Sequence, residues 1–591
     1  MSRQRKSPRL SVGRIKKCSD VASATPGSYR IGEVSIAGAA FRLVWPSVLA
    51  EENERMQNAA TRTFATLVVI SVICNSLCAQ DANEASSSVD LANKKRILAF
   101  EAPSLDSEPL NIGTRRELFV DNYLIGDLRG GAERHLFEMT PATTELADVA
   151  MTCDEDWEGP WCRYSKFIQD KDGIKVWYMG HHTYDYKDKE GNEAPGRLCY
   201  AFSKDGLTFE KPNLGLFEWL GSTANNVLFN DRTFKAANGN WLVTHNFSPF
   251  IDTNPAVPPE ARYKAFSGYG ERLGGNTGLY AWQSADGLHW EFASDGPIVN
   301  NRHRLDSPNQ GFWDTERKRY AVYLRHLRNS EGEEGYPVPN WRRDIRVAFS
   351  DDFIRWTEPQ WLVYHRDDGQ PGMDLTHLYT NEIKPYKRAP HIYLGFPSRF
   401  VNFAPMLIAS RDGVHFYRWM ERPLIPQTAP AGRQKNRSNH IWQEMVELPG
   451  EPDKYSMYCS ENLAISGSHP DGSFPRFRRF TIRKDGFVSV RAGGQQGELT
   501  TRPLIFAGDS LTVNYDAQSE EAGELRIELL DERRHPIPGF TSGECDPLTG
   551  DEIDSDVTWN GIADVSSLAG HPVHVRFVLS NADVFSFRFV E

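Results

Sequence analysis

The sequence predicts an all-β chain, a five-bladed β-propeller followed by a C-terminal β-sandwich. Three observations lead there. A short turn signature recurs five times, an aromatic strand precedes each copy, and no long helical periodicity stands out after residue 100.

The signature reads "FSKDGLTFE" from Phe202, "QSADGLHWE" from Gln283, "FSDDFIRWTE" from Phe349, "SRDGVHFYR" from Ser410 and, worn, "RKDGFVSV" from Arg483. Its aspartates are Asp205, Asp286, Asp352, Asp412 and Asp485, spaced by 81, 66, 60 and 73 residues. The Asp caps the turn through its side chain, Gly permits positive φ, and the following aromatic anchors the next strand. Upstream lie "KVWYMG" from Lys175, "RYKAFSG" from Arg262, "RYAVYLR" from Arg319, "HIYLGFP" from His391 and "KYSMYCS" from Lys454, alternating like half-buried strands. A unit of about 60–80 residues with several strands and one tight turn is a propeller blade. Five copies predict five blades over residues 114–498, with all five aspartates in equivalent turns. Unrelated Asp-Gly hairpins would not bring the aromatic strand along each time.

After about Thr500 the repeat stops. "SLTVNYDA", "GELRIELLD", "VTWNG" and "HVRFVLSNADVFSFRFV" are alternating strands cut by turn residues, which predicts a β-sandwich over residues 499–591.

At the other end, "FATLVVISVICNSLC" from Phe64 is apolar but too short and interrupted to span a bilayer. It reads as the core of a signal peptide over residues 56–79, starting at Met56, with small residues Ser76, Cys78 and Ala79 near the cut. The expectation is a secreted or periplasmic protein with no membrane span. Residues 1–55 then form a mis-assigned or disordered extension, and residues 80–113 a polar lead-in. After the cut, Cys153, Cys162, Cys199, Cys459 and Cys545 remain. They lack C-x-x-C spacing, so no metal site and no cofactor is expected. Cys153 and Cys162 either form one staple or stay as buried thiols.

The formal net charge is −12, and the first 79 residues carry 11 Lys/Arg against 5 Asp/Glu, leaving −18 on the rest. Nucleic acid is not an expected partner. An acidic, aromatic-rich body suits neutral or cationic ligands, although a local basic pocket can override net charge. Oligomeric state is not legible.

In a propeller the innermost strand of each blade lines the central channel, and here it precedes the aromatic strand. Those segments offer Trp157 and Glu158; His245, Asn246 and Asp252; Asp306, Asn309 and Asp314; Asp374, His377, Tyr379, Asn381 and Glu382; and His440, Trp442 and Glu444. Facing carboxylates beside Trp are what glycosidic cleavage requires: one protonates the leaving oxygen, another attacks C1 or activates water. Any single Asp among them is more often a strand-end cap. The expected catalytic set is Glu158, Asp306 and Glu444, with Trp157 and Trp313 flanking the sugar and Arg399 and His245 as polar contacts. Apolar neighbours in "IWQEMVEL" should raise Glu444 and suit it to an acid. Asp306, among Ser and Asn, should stay ionised as nucleophile or base, and Glu158 would orient. The alternative is a carbohydrate-binding or surface-interaction propeller without catalysis. No P-loop, dinucleotide or G-x-S-x-G fingerprint appears.

Five blades with these turns and a C-terminal sandwich resemble glycoside hydrolase family 32 and five-bladed relatives such as family 43. "RRELFVDNYLI" at Arg115, "KPNLGLFEWLGSTANNVLF" at Lys211, "FIDTNPAVPPEARYKAFSG" at Phe250 and "DSPNQGFWD" at Asp306 look like a group of secreted bacterial family-32-like propellers. The resemblance covers roughly residues 113–591 and implies a glycosidase-like fold. Family 32 proper places its catalytic groups in W-M-N-D-P-N, R-D-P and E-C motifs. None stands intact here at the expected blade, so no catalytic residue carries over. Sialidase turns are one residue longer before the Gly, which argues against that group.

Overall fold

Short apolar runs cut by Gly, Pro and Asp form short strands, and hydrogen-bonding neighbours in sequence gather them into small antiparallel sheets. The computed structural model describes residues 30–36, 39–45, 105–141, 148–160, 162–181, 195–235, 241, 246–268, 278–299, 305, 307–329, 341–365, 377–400, 403–419, 422–425, 440–461, 474–518 and 522–591. The chain divides into two compact units, Met1–Lys95 and Arg96–Glu591. In the first, Arg30–Ile36 pairs antiparallel with Ala39–Trp45, a hairpin inside the stretch expected to be an extension. The expected signal peptide at 56–79 lies outside the described residues.

The second unit is all-β. Its described helical pieces are short 3-10 turns such as Pro259–Ala261 and Ser566–Leu568. Five small sheets follow one another along the chain. The first holds Arg163–Asp170, Gly173–Gly180, Arg197–Ser203 and Val227–Asn230. The second holds Ser248–Ile251, Tyr263–Ser267, Tyr280–Ser284 and Glu291–Phe292. The third holds Gln310–Asp314, Arg319–Arg328, Arg342–Ser350 and Gln360–Trp361. The fourth holds Ile383–Tyr386, Ala389–Gly395, Leu407–Ser410 and His415–Trp419, with Val363–His365 added parallel at its edge. The fifth holds Ile441–Val446, Lys454–Glu461 and Arg476–Arg483, and takes its outer strands from far upstream: Thr140–Pro141 and Val149–Thr152 both pair with Arg476–Arg483.

The aromatic strands are second in each sheet and are buried on both faces, not half-buried as their alternation suggested. The reason is that each sheet packs between two others. In Gly173–Gly180, Trp177 joins a core with Tyr263 and Trp282 of the second sheet. Its neighbour Tyr178 faces the opposite way, into a core with Tyr458 and Phe477 of the fifth. Phe266 and Tyr320 link the second and third sheets, Tyr323 and Tyr393 the third and fourth, and Tyr386 and Tyr455 the fourth and fifth. The first strands follow the same order. Arg163–Asp170 lies against both Ser248–Ile251 and Ile441–Val446, and Gln310–Asp314 against Ser248–Ile251 and Ile383–Tyr386.

Four of the five turn signatures are equivalent. Asp205, Asp286, Asp352 and Asp412 each accept a hydrogen bond at Oδ1 from the preceding Ser hydroxyl and from two backbone amides beyond the turn. The Gly position holds positive φ in three of them, and Phe353 takes it at φ 71 in the third sheet. Turn carbonyls accept bonds from aromatics of the sheet before: Trp177 Nε1 to Gly287 at 2.8 Å, Tyr323 to Gly413 at 2.8 Å, and Tyr458 of the fifth sheet to Gly206 of the first at 2.6 Å. Gly287 also has no room for a side chain, since a Cβ would stand 2.7 Å from the Trp177 ring. Gly287→Ala is expected to cost about 2 kcal/mol or more in a urea titration, from positive φ and overpacking together. Unchanged stability would contradict this account of the turn.

The fifth signature departs. Arg483 replaces the Ser, so the local Ser hydroxyl is missing, and the Asp485 amide donates instead to the Tyr386 hydroxyl at 2.9 Å. The chain leaves here for another sheet, and Asp485 is fully buried with φ 62. Its carboxylate accepts bonds from Tyr386 at 2.6 Å, Ser586 at 2.6 Å and Asn514 at 3.1 Å.

Beyond it, Gly550–Asp556, Ser510–Ala517, Ala582–Val590 and Val488–Ala492 form one sheet; Glu524–Leu530, His574–Ser580 and Gly497–Thr501 form another. Both share one core containing Phe577, Phe587 and Trp559. Glu133–Leu136 and Glu117–Leu118 join the first of these sheets, and Ile125–Gly130 the second. Strands within residues 110–136 thus pair with C-terminal strands, and Ile112, Phe119, Leu124 and Ile125 lie in that core.

Candidate functional site

At one end of the first strands, side chains from four sheets meet. Tyr164 opens the first sheet, and its hydroxyl is hydrogen-bonded to that of Tyr379, which precedes the fourth. Around Tyr379 stand Phe400 at 5.4 Å, Phe403 at 6.1 Å and His440 at 5.6 Å between ring centroids. His440 packs on Trp442 of the fifth sheet, and Trp442 donates to Ser460. From the third sheet, the Arg343 guanidinium lies 3.5 Å above the Phe400 ring, with Trp341 and His377 beside it. Ser307, ahead of the third sheet, donates to the Tyr379 carbonyl at 2.9 Å. Tyr379, Phe400, Phe403, Trp341 and Arg343 are all partly exposed. Burial lowers His377 to about 4, with Arg343 and Arg342 adding to it, and His440 to about 3, with Arg163 adding. Both rings are neutral at neutral pH.

Two buried ion pairs lie on the strands that lead to this cluster. Lys166 on Arg163–Asp170 donates to both oxygens of Glu382 at 2.7 Å, with side chains 1% and 0% exposed. Lys384 and Lys387 of the fourth sheet hold Glu444 at 2.9 and 3.0 Å. Ser165 Oγ, Gln310 Oε1 and Asn381 Oδ1 are buried without protein partners among the described residues.

The described residues place two of the three expected catalytic groups, Glu158 and Glu444. Asp306 and His245 lie outside the described residues, as does Asp374. Glu158 is not on an inner strand, because the first strand begins only at Arg163. It sits in the preceding turn, fully buried, accepting from Tyr178, from the Glu155 amide at 2.9 Å and from Lys211 at 2.9 Å. Burial pushes its carboxyl above the usual range, against the pull of Lys211. Glu444 is the reverse of the expectation. The two lysines overcome its burial and hold it down at about 2, so the carboxylate is charged at neutral pH. Its folded value is depressed, so its contribution to stability is present above the ordinary carboxylate range and is lost as pH falls toward 2. Glu444→Gln is expected to flatten that acid limb in pH-dependent unfolding; an unchanged limb would refute the pairing.

Trp157 is partly buried and donates from its indole to Asn226 at 2.6 Å. Trp313 packs edge-on against Tyr320 at 4.8 Å, between the second and third sheets rather than with the aromatic cluster. Arg399 bridges through its backbone to Leu378, within the segment that carries Tyr379. Asp252, Asp314 and Asp344 act as structural caps and ion-pair partners. Lys166, Arg343, Phe400 and Phe403 escaped the sequence reading. A lysine inside the apolar "RYSKFIQ" was the available signal for the first.

Among the described residues no cluster of three or more His, Cys, Asp or Glu is placed to hold a metal ion, and no helix is long and apolar enough to cross a membrane. Cys153, Cys162, Cys199, Cys459 and Cys545 are free and buried.

No family model and no curated protein matches the chain. Solved structures it is similar to include a glycoside hydrolase at 10% identity, covering 58% of this chain and 92% of that one, with a TM-score of 0.37. A thermostable family-43 glycoside hydrolase gives 10%, 56%, 93% and 0.36. An N-acetylgalactosamine deacetylase from F. plautii, in complex with blood group B trisaccharide, gives 12%, 61%, 96% and 0.34.

Proposed function

We propose that the chain is a secreted five-bladed β-propeller with an appended β-sandwich, and that it cleaves glycosidic bonds of an oligo- or polysaccharide. The five consecutive sheets are the blades, and the two C-terminal sheets sharing one core are the sandwich. One observation carries the functional reading: Tyr164, Tyr379, Phe400, Phe403 and Arg343, from three sheets, stand together at one end of the first strands. Aromatic faces suit the C–H faces of sugar rings, and the cations and hydroxyls between them suit sugar hydroxyls.

Hydrolysis needs a proton donor and a nucleophile or base. In this reading Asp306, adjacent to the anchored Ser307, is the nucleophile or base. Glu158, raised by burial, is the donor. Glu444 is reassigned to holding the fourth and fifth sheets together. Trp157, His245 and Arg399 remain proposed ligand contacts.

A second reading, binding without cleavage, is favoured by one fact. Among the described residues, each carboxylate on a first strand is paired with a cation: Asp170 with Lys175, Asp314 with Arg317, and Glu444 with Lys384. Reducing-end release measured over a panel of labelled plant and algal oligosaccharides, alongside retention of the same glycans, separates the two. Release that falls at least ~10²-fold in Asp306→Asn supports cleavage. Retention without release supports binding, and neither with any glycan sinks both. Export rests on residues 64–78, and N-terminal sequencing of secreted material is expected to begin near residue 79 or 80.

A further inference from the structure

His440 packs in the aromatic cluster, 2% exposed, and its side chain has one hydrogen-bond contact among the described residues. Its Nδ1 lies 2.8 Å from Ser398 Oγ. Its ring stands 5.2 Å from Phe403, 5.4 Å from Trp442 and 5.6 Å from Tyr379. The polar atoms of those neighbours are engaged elsewhere: the Trp442 indole donates to Ser460, and the Tyr379 hydroxyl is bonded to Tyr164.

Ser398 decides which ring nitrogen carries the proton. It is fully buried, its amide donates to Thr380 Oγ1 at 3.1 Å, and its carbonyl accepts from the Tyr379 amide at 2.8 Å. Its hydroxyl hydrogen needs an acceptor, because a buried donor left unmade is costly. Among the described residues, Nδ1 is the group hydrogen-bonded to that hydroxyl. With Nδ1 accepting, the neutral ring carries its proton on Nε2.

We infer that His440 donates from Nε2 to an oxygen of the bound glycan, in a tautomer fixed by Ser398; this rests on the carbohydrate reading of the mouth. His440 is thus a specificity-determining donor and not a general base. Ligand oxygens that accept (hydroxyl, ring or carboxylate oxygens) fit it, and a deoxy position opposite it does not. Ser398 is a positioning residue, acting only through the ring.

Two readouts test this. In the free protein with 15N-labelled histidine, the His440 signals, assigned by their loss in His440→Gln, are expected to show an unprotonated Nδ1 and a protonated Nε2. Ser398→Ala is expected to release a tautomer mixture, and Ser398→Thr to restore the single form. A proton on Nδ1 in the wild type overturns the inference without touching the carbohydrate reading.

The second readout uses the labelled glycans retained by the wild type. His440→Met, similar in volume but without a donor, is expected to weaken retention about 10-fold, and His440→Gln, which keeps a donor amide, to weaken it less. Folding is checked for both by near-UV circular dichroism. Equal retention by folded His440→Met overturns the inference alone. Failure of the wild type to retain any glycan overturns the carbohydrate reading and this inference with it.

Discussion

Lys166→Met is expected to lower the unfolding free energy by about 3–5 kcal/mol. The Lys166 ammonium donates to both Glu382 oxygens at 2.7 Å, and both side chains are sealed from solvent. Burial pulls the lysine's proton affinity down, and Glu382 is what opposes it. Removing the cation leaves the buried Glu382 carboxylate without the ammonium that donates to both of its oxygens. The pair also joins the first sheet to the fourth, which are not consecutive. Three residues before Glu382 is Tyr379, and two before Lys166 is Tyr164, whose hydroxyls are bonded to each other. Loosening the pair should therefore weaken glycan retention as well as stability. In urea titrations, Lys166→Met/Glu382→Gln is expected to recover part of the loss, because neither charge is then stranded. Strictly additive single changes would show that the two groups are not coupled.

The repeat was legible because each turn is a local device. Ser, Asp and Gly within four residues complete their own hydrogen bonds, so Asp205, Asp286, Asp352 and Asp412 announce themselves. What joins the sheets was not legible, since it pairs residues far apart. Tyr458 reaches Gly206, and Thr140–Pro141 and Val149–Thr152 complete a sheet whose remaining strands begin at Ile441. The same limit explains Glu444. Its own neighbours are apolar and pointed to a raised value, while the lysines that hold it down stand in "KPYK", on another sheet. The surroundings of Glu158 were hidden for a different reason. Its turn was read as the start of a strand that begins five residues later, so its side chain goes to Tyr178 and Lys211. The aromatic residues of the candidate mouth were half visible: His377, Tyr379, His440 and Trp442 precede or open strands, whereas Phe400 and Phe403 lie in a connection with no repeat to mark it.

Asp485 turns this contrast into an expected result. Asp485→Ala should cost about 3–5 kcal/mol, whereas Asp205→Ala should cost about 1 kcal/mol. Asp205 is exposed and caps backbone amides, so water replaces much of what is lost. Asp485 is fully buried, and its donors come from three places. Tyr386 belongs to the fourth sheet, Asn514 and Ser586 to the C-terminal sheets, and Arg116 to the segment before Glu117–Leu118. Truncation leaves these groups, including the buried Arg116 guanidinium, without the carboxylate they surround. It also puts Ala at φ 62, which Asp tolerates better. The worn fifth copy is thus a turn that kept its Asp-Gly and gave the carboxylate a second task, pinning the repeated sheets to the C-terminal ones. Equal costs at the two positions, measured by the same urea titration, would mean that Asp485 is one more turn cap and that the pin lies elsewhere.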